Sequence, residues 1–270
     1  MHDFDPGCVE EPYATLARTF PGTETYPPDD FRTEWGPVFH RGRLDGTARV
    51  LVIGQDPAAH EAVVRRILVG TAGRRFQGFL NKLGIETSYV MVNTYLYSVY
   101  GQQAGNAHAN DPDIALHRHA WFDALTANNP IEAVVALGRL ADTAFRTWRE
   151  TPSGEAYGGA YQHIRHPTYP DSAASSGTPR AVAMAKMLTN WNAALDALHP
   201  VVTPDTPVPL AHYGEDLDPA DLGEIPEGDL PAGLPAWMRG GQSWASRQGA
   251  TTEEKRATIM VQIPLSQRPF

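Results

Sequence analysis

Residues 50–57 combine a predicted strand with two side chains that can do chemistry. Residues 50–53 are all apolar, and Gly54, Gln55, Asp56 and Pro57 follow them directly. An apolar run of this kind predicts a buried parallel strand that delivers an amide and a carboxylate to the carboxyl edge of a sheet. In open α/β folds, ligands bind at that edge. A carboxylate there can orient and polarise a water molecule.

Two further polar side chains follow apolar runs in the same way. Asn93 ends the run that begins at residue 89, and His166 follows the run 161–165. An amide can pair with a partner that both donates and accepts, and an imidazole can donate a hydrogen bond to a group that gains negative charge. With Asp56, these side chains sit at the ends of three predicted strands and can converge on one cleft.

The elements that must position these side chains alternate between strands and helices. Strands are predicted at residues 49–53, 89–94, 131–137 and 161–165. Helices are predicted at residues 61–68, 74–83, 112–128, 139–149 and 180–198. The alternation predicts an α/β fold with three α/β/α layers and a central, mostly parallel four-stranded sheet.

The chain divides by composition into three parts. A content of 42% hydrophobic and 20% charged residues predicts a globular chain rather than a disordered one. Pro, Gly, Asp and Glu dominate from residue 200 onward. We therefore expect an N-terminal lead at 1–48, an α/β domain at 49–199, and an acidic Pro/Gly-rich arm at 200–270 that ends in a possible added strand at 258–263.

The net charge of −9 is unevenly distributed. Eight acidic residues, and no Lys or Arg, lie between residues 200 and 238. A basic cluster follows the first predicted strand and consists of Arg65, Arg66, Arg74, Arg75 and Lys82. A local basic face is therefore compatible with an acidic protein, and the charge does not exclude nucleic acid as a partner.

Several site classes and locations are not expected. Cys8 is the only cysteine, which excludes a disulfide framework, a Cys-based zinc site and a four-Cys iron–sulfur cluster within one chain. His108, His117 and His119 do not predict a metal site, because a His-x-His pair on a helix points its side chains about 200° apart. We expect no cofactor, no membrane contact, a cytoplasmic location and a monomer.

Several segments, in order, resemble motifs of one family, the uracil-DNA glycosylase superfamily. G-Q-D-P is similar to the start of its G-Q-D-P-Y-H motif, and H-P-T resembles its H-P-S motif. The matching segments are residues 54–57, 70–73 (G-T-A-G, like the G-R-A-G of the iron–sulfur branch), 90–93 (V-M-V-N), 133–141 and 166–168. The resemblance spans about residues 49–195 and includes features of the iron–sulfur branch without its cysteines.

The resemblance implies a monofunctional DNA glycosylase. Such an enzyme hydrolyses the N-glycosidic bond of a flipped-out uracil or modified pyrimidine in single- or double-stranded DNA and leaves an abasic site. Asp56 and His166 would be catalytic: Asp56 would orient the attacking water, and His166 would donate to the base O2. Asn93 would pair with the Watson–Crick edge of the base, and Gln55 would also contact the base or a phosphate.

The residues around these motifs are the predicted DNA contacts. Thr168 would bind a phosphate, and Tyr169 or Pro170 would fill the gap left by the flipped nucleotide, although a plain surface turn is an equal alternative. Arg74 and Arg75 would bind phosphates, although a solvated helix face also explains such a pair.

Two departures from the family pattern concern the substrate. Ala58 replaces the Tyr whose ring rejects thymine in the best-known branch, so either another residue fills the space or the pocket accepts a C5 substituent. Leu68 takes the place of the aromatic that stacks on the base, unless Phe76 or Phe79 supplies that ring. Two alternatives therefore stay open: a glycosylase for bulky C5-modified cytosine or uracil in phage DNA, acting in defence, and a non-catalytic DNA-binding module.

Overall fold

A five-stranded sheet forms the centre of the protein, as shown by a computed structural model that describes residues 6–240 and 243–268. Its strands are β1 (His40–Gly42), β2 (Val50–Gly54), β3 (Tyr89–Asn93), β4 (Ala133–Leu137) and β5 (Ala160–Ile164). They lie in the order β1-β3-β2-β4-β5, and β1 alone is antiparallel to its neighbour. The predicted α/β class and mostly parallel sheet are confirmed. The predicted count of four omitted the edge strand β1.

Helices cover both faces of this sheet. In the described residues they are α1 (Tyr13–Arg18), α2 (Ala59–Val64), α3 (Thr71–Lys82), α4 (Gln102–Ala107), α5 (Pro112–Asn128), α6 (Arg139–Arg149), α7 (Pro152–Ala156), α8 (Tyr169–Ser175), α9 (Arg180–Leu198) and α10 (Thr252–Ala257). None of these described helices is long and apolar enough to cross a membrane.

Alternate residues of β2 enter two separate cores, as the two-residue period of a strand requires. Val50 and Val52 pack with α3 and α9, whereas Leu51 and Ile53 pack with α1, α5 and α6. All four side chains are fully buried. Because both faces are covered by helices, β2 reads as a continuous apolar run, and its polar residues occur only where the strand ends.

The acidic arm, C-terminal to residue 199, is tied to the α/β body. Val202 and Tyr213 are buried in the same core as α3 and α9. Ion pairs join three of its acidic residues to the body: Asp205 to Arg49, Asp221 to Lys82, and Asp229 to Arg41 and Arg43. Much of the arm's negative charge is thus neutralised internally.

The far part of the arm forms a small sheet of its own. β6 (Ala245–Arg247) pairs antiparallel with β7 (Ile259–Val261), and α10 lies between them in the chain. A strand therefore forms within the predicted 258–263 segment, but it does not join the central sheet. Residues 1–5 of the predicted lead and residues 241–242 and 269–270 of the predicted arm lie outside the described residues.

Gly78 allows the arm to cross α3. A Cβ atom at this position would overlap the backbone carbonyl oxygen of Asp221. We expect Gly78→Ala to lower the free energy of unfolding by about 1–3 kcal/mol, because overpacking outweighs the better helix propensity of Ala. Urea denaturation measures this, with Gly214→Ala as the control, since a Cβ at Gly214 meets nothing within 4 Å. Equal stabilities of the two variants would contradict the crossing.

Candidate functional site

A cleft of about 1370 Å³ opens at the carboxyl ends of β2, β4 and β5. The loop after β2 contributes Gln55 and Asp56, Gly138 follows β4, and the loop after β5 contributes His166. The remaining walls come from α8, α9 and β6. The predicted site residues that line the cleft are Gln55, Asp56, Ala58, Leu68, His166, Thr168 and Tyr169.

Asp56 is a half-buried carboxylic acid at this cleft. The backbone N–H of Val99 donates to its Oδ2 at 3.1 Å, which fixes the orientation of the side chain. Burial raises the pKa of Asp56 to about 7, and the nearby Glu61 adds to the rise, whereas the Val99 hydrogen bond, Arg32 and Arg247 oppose it. The carboxyl group therefore changes its charge near neutral pH, where a general base is most effective.

The hydrogen bonds of His166 define which nitrogen faces the cleft as a donor. The backbone N–H of Thr168 donates to Nδ1 at 3.3 Å, and the Thr168 hydroxyl lies 2.9 Å from the same nitrogen. Because Nδ1 accepts, we assign the proton to Nε2. Burial, with a smaller contribution from Arg75, lowers the pKa of His166 to about 4. At pH 7 the ring is therefore neutral and can donate from Nε2.

Arg75 supports the His166 loop from below. Its Nη1 donates to the carbonyl oxygen of Pro167 and to Oδ2 of Asp171, both at 2.7 Å, and the side chain is buried. This placement corrects the prediction that Arg75 binds a DNA phosphate. Arg74 lies outside the cleft lining and is half-buried.

The arginines before α3 also have structural partners. Arg65 donates to the carbonyl oxygens of Trp35 and Pro37, which holds the N-terminal lead against α2. Arg66 is buried. The basic cluster seen in the sequence is therefore used largely inside the protein, because desolvated guanidinium groups need acceptors.

Gln55 and His166 meet at Gly138. A Cβ at Gly138 would lie 2.9 Å from Nε2 of Gln55 and 3.3 Å from Cβ of His166. Gly138 also has a φ of +86°, which favours glycine. The close approach holds the Gln55 amide beside the His166 loop, where it can contact the same ligand.

The opening at Ala58 is real in space as well as in sequence. Ala58 is exposed and lines the cleft, and Leu68 is a buried part of the same lining. Phe76 and Phe79 are fully buried against Trp191 in the core. The alternative in which one of these rings stacks on the base is therefore wrong.

Asn93 ends β3 beside Gly54 but does not line the cleft. It is paired in register with Gly54, and a Cβ at Gly54 would collide with its amide oxygen. Its side chain borders a separate small cavity that also contacts Arg118. The geometry gives no direct support to base reading by Asn93, which stays a prediction.

The residues after His166 differ in accessibility. Tyr169 lines the cleft with the Arg165 guanidinium 4.6 Å from its ring centre. Pro170 is buried in the first turn of α8, which corrects its prediction as a wedge between bases. Thr168 lines the cleft, but its hydroxyl faces His166, so it positions the imidazole whether or not it also binds a phosphate.

Residues at both ends of the chain complete the cleft. Trp35 from the N-terminal lead and Ser246 and Arg247 from β6 line it, and the sequence reasoning missed all three. The three-residue strand β6 is too short for periodicity to reveal. Within the described residues, no group of three or more His, Cys, Asp or Glu side chains is arranged to hold a metal ion.

The comparison with known families bears on the whole site. A family model described as the uracil DNA glycosylase superfamily matches residues 41–200. The chain belongs to the uracil DNA glycosylase superfamily. Membership confirms the resemblance, supports a DNA glycosylase-type function and implies DNA binding. A search of curated proteins found no match.

The match to the uracil DNA glycosylase superfamily extends from the second residue of β1 to just beyond α9. It includes the strand ends that carry Asp56, Asn93 and His166. It excludes Trp35 and β6, which also line the cleft. Part of the site wall is therefore built from segments that the family match does not cover.

Proposed function

We propose that the protein is a monofunctional DNA glycosylase that hydrolyses the N-glycosidic bond of a flipped-out pyrimidine. The observation that carries the proposal is the pairing, in one cleft, of a carboxyl group that ionises near pH 7 with a neutral imidazole donor. N-glycosidic hydrolysis needs a group that orients water near the sugar and a donor that stabilises the departing base anion. Asp56 and His166 supply these two functions.

In the proposed reaction, ionised Asp56 orients a water molecule toward C1′ of the flipped nucleotide. The bond from C1′ to the base nitrogen breaks, and its electron pair leaves with the base. His166 donates a hydrogen bond from Nε2 to the base O2 as negative charge develops there. The new C1′–O bond forms from water, whose proton passes to Asp56. The products are an abasic site and the free base.

Excision assays on defined oligonucleotides test this function. Single- and double-stranded DNA carrying uracil, thymine or C5-modified cytosine or uracil would be incubated with the protein and then cleaved with alkali at abasic sites. Formation of abasic sites supports the glycosylase. If none of these substrates is cut, the second candidate, a non-catalytic DNA-binding module, is favoured. A borohydride-trapped covalent adduct would contradict monofunctional chemistry, and Lys186, which lines the cleft, would be the first amine to test.

The exposed Ala58 favours a substrate with a substituent at C5. Modified cytosine or uracil of this kind occurs in phage DNA, so a defence role is the physiological form of this proposal.

We expect Ala58→Tyr to lower kcat/KM for a C5-substituted pyrimidine relative to uracil by at least about tenfold, since the ring would occupy the space beside the base. Ratios of single-turnover rates on matched oligonucleotides measure the effect. Ala58→Ser, which adds one small polar atom, is the control. An unchanged ratio in the Tyr variant would show that the substituent lies elsewhere.

A further inference from the structure

β6 brings a free guanidinium group into the cleft. Arg247 lines the cleft beside Ser246, and its side chain is exposed. Among the described residues, its guanidinium has no hydrogen-bond or ion-pair partner. It lies close enough to Asp56 and to Arg32 to act electrostatically on both. Arg32, in contrast, is buried and donates to Ser98 and Val99.

β6 is held firmly at this position. The backbone N–H groups of Trp244 and Ala245 donate to Nε2 of His60 at 3.2 and 3.3 Å. The Trp244 ring packs edge-on against the His60 ring, and its Nε1 donates to the carbonyl oxygen of Met238 at 3.0 Å. His60 is the second residue of α2, which begins directly after Ala58. These contacts place β6 next to the space that Ala58 leaves open.

We propose that β6 forms a subsite for the C5 substituent of the flipped pyrimidine, and that Arg247 binds an oxygen of that substituent. The proposal rests on the proposed function only in requiring that a pyrimidine enters the cleft. Arg247 and Ser246 are donors, so they match a hydroxyl or carboxylate group and not an alkyl group. An alkyl substituent would desolvate the guanidinium without replacing its hydrogen bonds with water, which disfavours binding.

Binding to non-cleavable DNA tests the subsite separately from catalysis. Oligonucleotides would carry 2′-fluoroarabino nucleotides of uracil, thymine, 5-hydroxymethyluracil or 5-carboxyuracil, and fluorescence anisotropy would give each Kd. We expect the protein to bind the hydroxymethyl or carboxy base at least about tenfold more tightly than thymine, which has a methyl group at the same position. Arg247→Met should remove most of that preference, and Arg247→Lys should retain part of it.

The control and the contrary outcomes are distinct. Arg18→Met removes one positive charge from an exposed pair on α1, away from the cleft lining, and should leave the preference unchanged. If Arg247→Met weakens all four oligonucleotides equally and lowers the salt dependence of binding, Arg247 contacts a phosphate and the subsite is refuted. Equal binding of all four bases by the unaltered protein also refutes it. Discrimination without any excision would instead refute the proposed catalysis and leave the subsite standing.

Discussion

Replacing Asp56 with Asn is expected to lower the rate of base excision by about 10²–10⁴-fold, the usual contribution of a positioned general base. The Asn side chain keeps the shape of Asp and can still accept from Val99, but it cannot take a proton from water. Single-turnover kinetics with saturating protein measure the chemical step. Asp196→Asn, at an exposed ion pair with His212, is the matched control. Full activity in Asp56→Asn would remove Asp56 from the mechanism.

The pH profile provides a second readout of the same variant. The pKa of Asp56 is about 7, and the ionised form is the active one, so the rate should rise with pH and level off above pH 7. Asn at this position should remove that rise. The charged groups that face Asp56 are Glu61, Arg32 and Arg247, so the midpoint reports on them as well.

Stability should depend on Asp56 with the opposite sign. An unfolded Asp has a pKa of about 3.9, so the folded protein holds a proton on Asp56 that the unfolded chain loses between about pH 4 and pH 7. Across that window, rising pH favours the unfolded state. Asp56→Asn should therefore raise Tm more at pH 8 than at pH 5. A difference in Tm that is constant with pH would contradict the raised pKa.

Replacing Asp229 with Asn is expected to lower the free energy of unfolding by about 3–5 kcal/mol. The Asp229 and Arg41 side chains are both 0% exposed and lie 3.6 Å apart. Asp229 also accepts from the Tyr89 hydroxyl, whose pKa is raised well above its usual value, first by burial. Removing the carboxylate charge leaves a guanidinium buried without its counterion. Urea denaturation at pH 7 measures the loss.

The same exposed pair that serves Asp56 also serves here as a control. Asp196 is 54% exposed, so Asp196→Asn should change the free energy of unfolding by no more than about 1 kcal/mol. Adding Arg41→Met to Asp229→Asn should recover part of the loss, because the uncompensated charge is then gone. A loss below about 1 kcal/mol for Asp229→Asn alone would show that the arm does not depend on this pair.

Long elements with clear end signals were predictable from the sequence. The bounds of α5 are those predicted, because the side chain of Asp111 accepts from two N–H groups of the first turn and Pro112 begins the helix. The predicted bounds of α6 and α9 also agree with the structure. The strands β2 to β5 lie within two residues of their predictions, since apolar runs flanked by polar residues define buried parallel strands.

The parts that were missed depend on tertiary contacts. β1 and β6 have three residues each, which is too short for a periodic pattern, and both exist because a partner strand is present. Charge was equally ambiguous: Arg75 looked like a DNA contact, yet it faces the carbonyl oxygen of Pro167 and the carboxylate of Asp171. Sequence shows that an arginine is present, but not whether its acceptor lies in the protein or in a ligand.

The extent of the arm has a practical consequence for work with fragments of this protein. A fragment cut at residues 41–200 would follow the family match, yet it would lose Asp205, Asp229 and β6. Arg41 would then keep its place inside the protein with no counterion from the arm. Such a fragment would also have a wider cleft, open on the side of Ala58. Its selectivity would describe a truncated enzyme, so assays of substrate choice need the full-length chain.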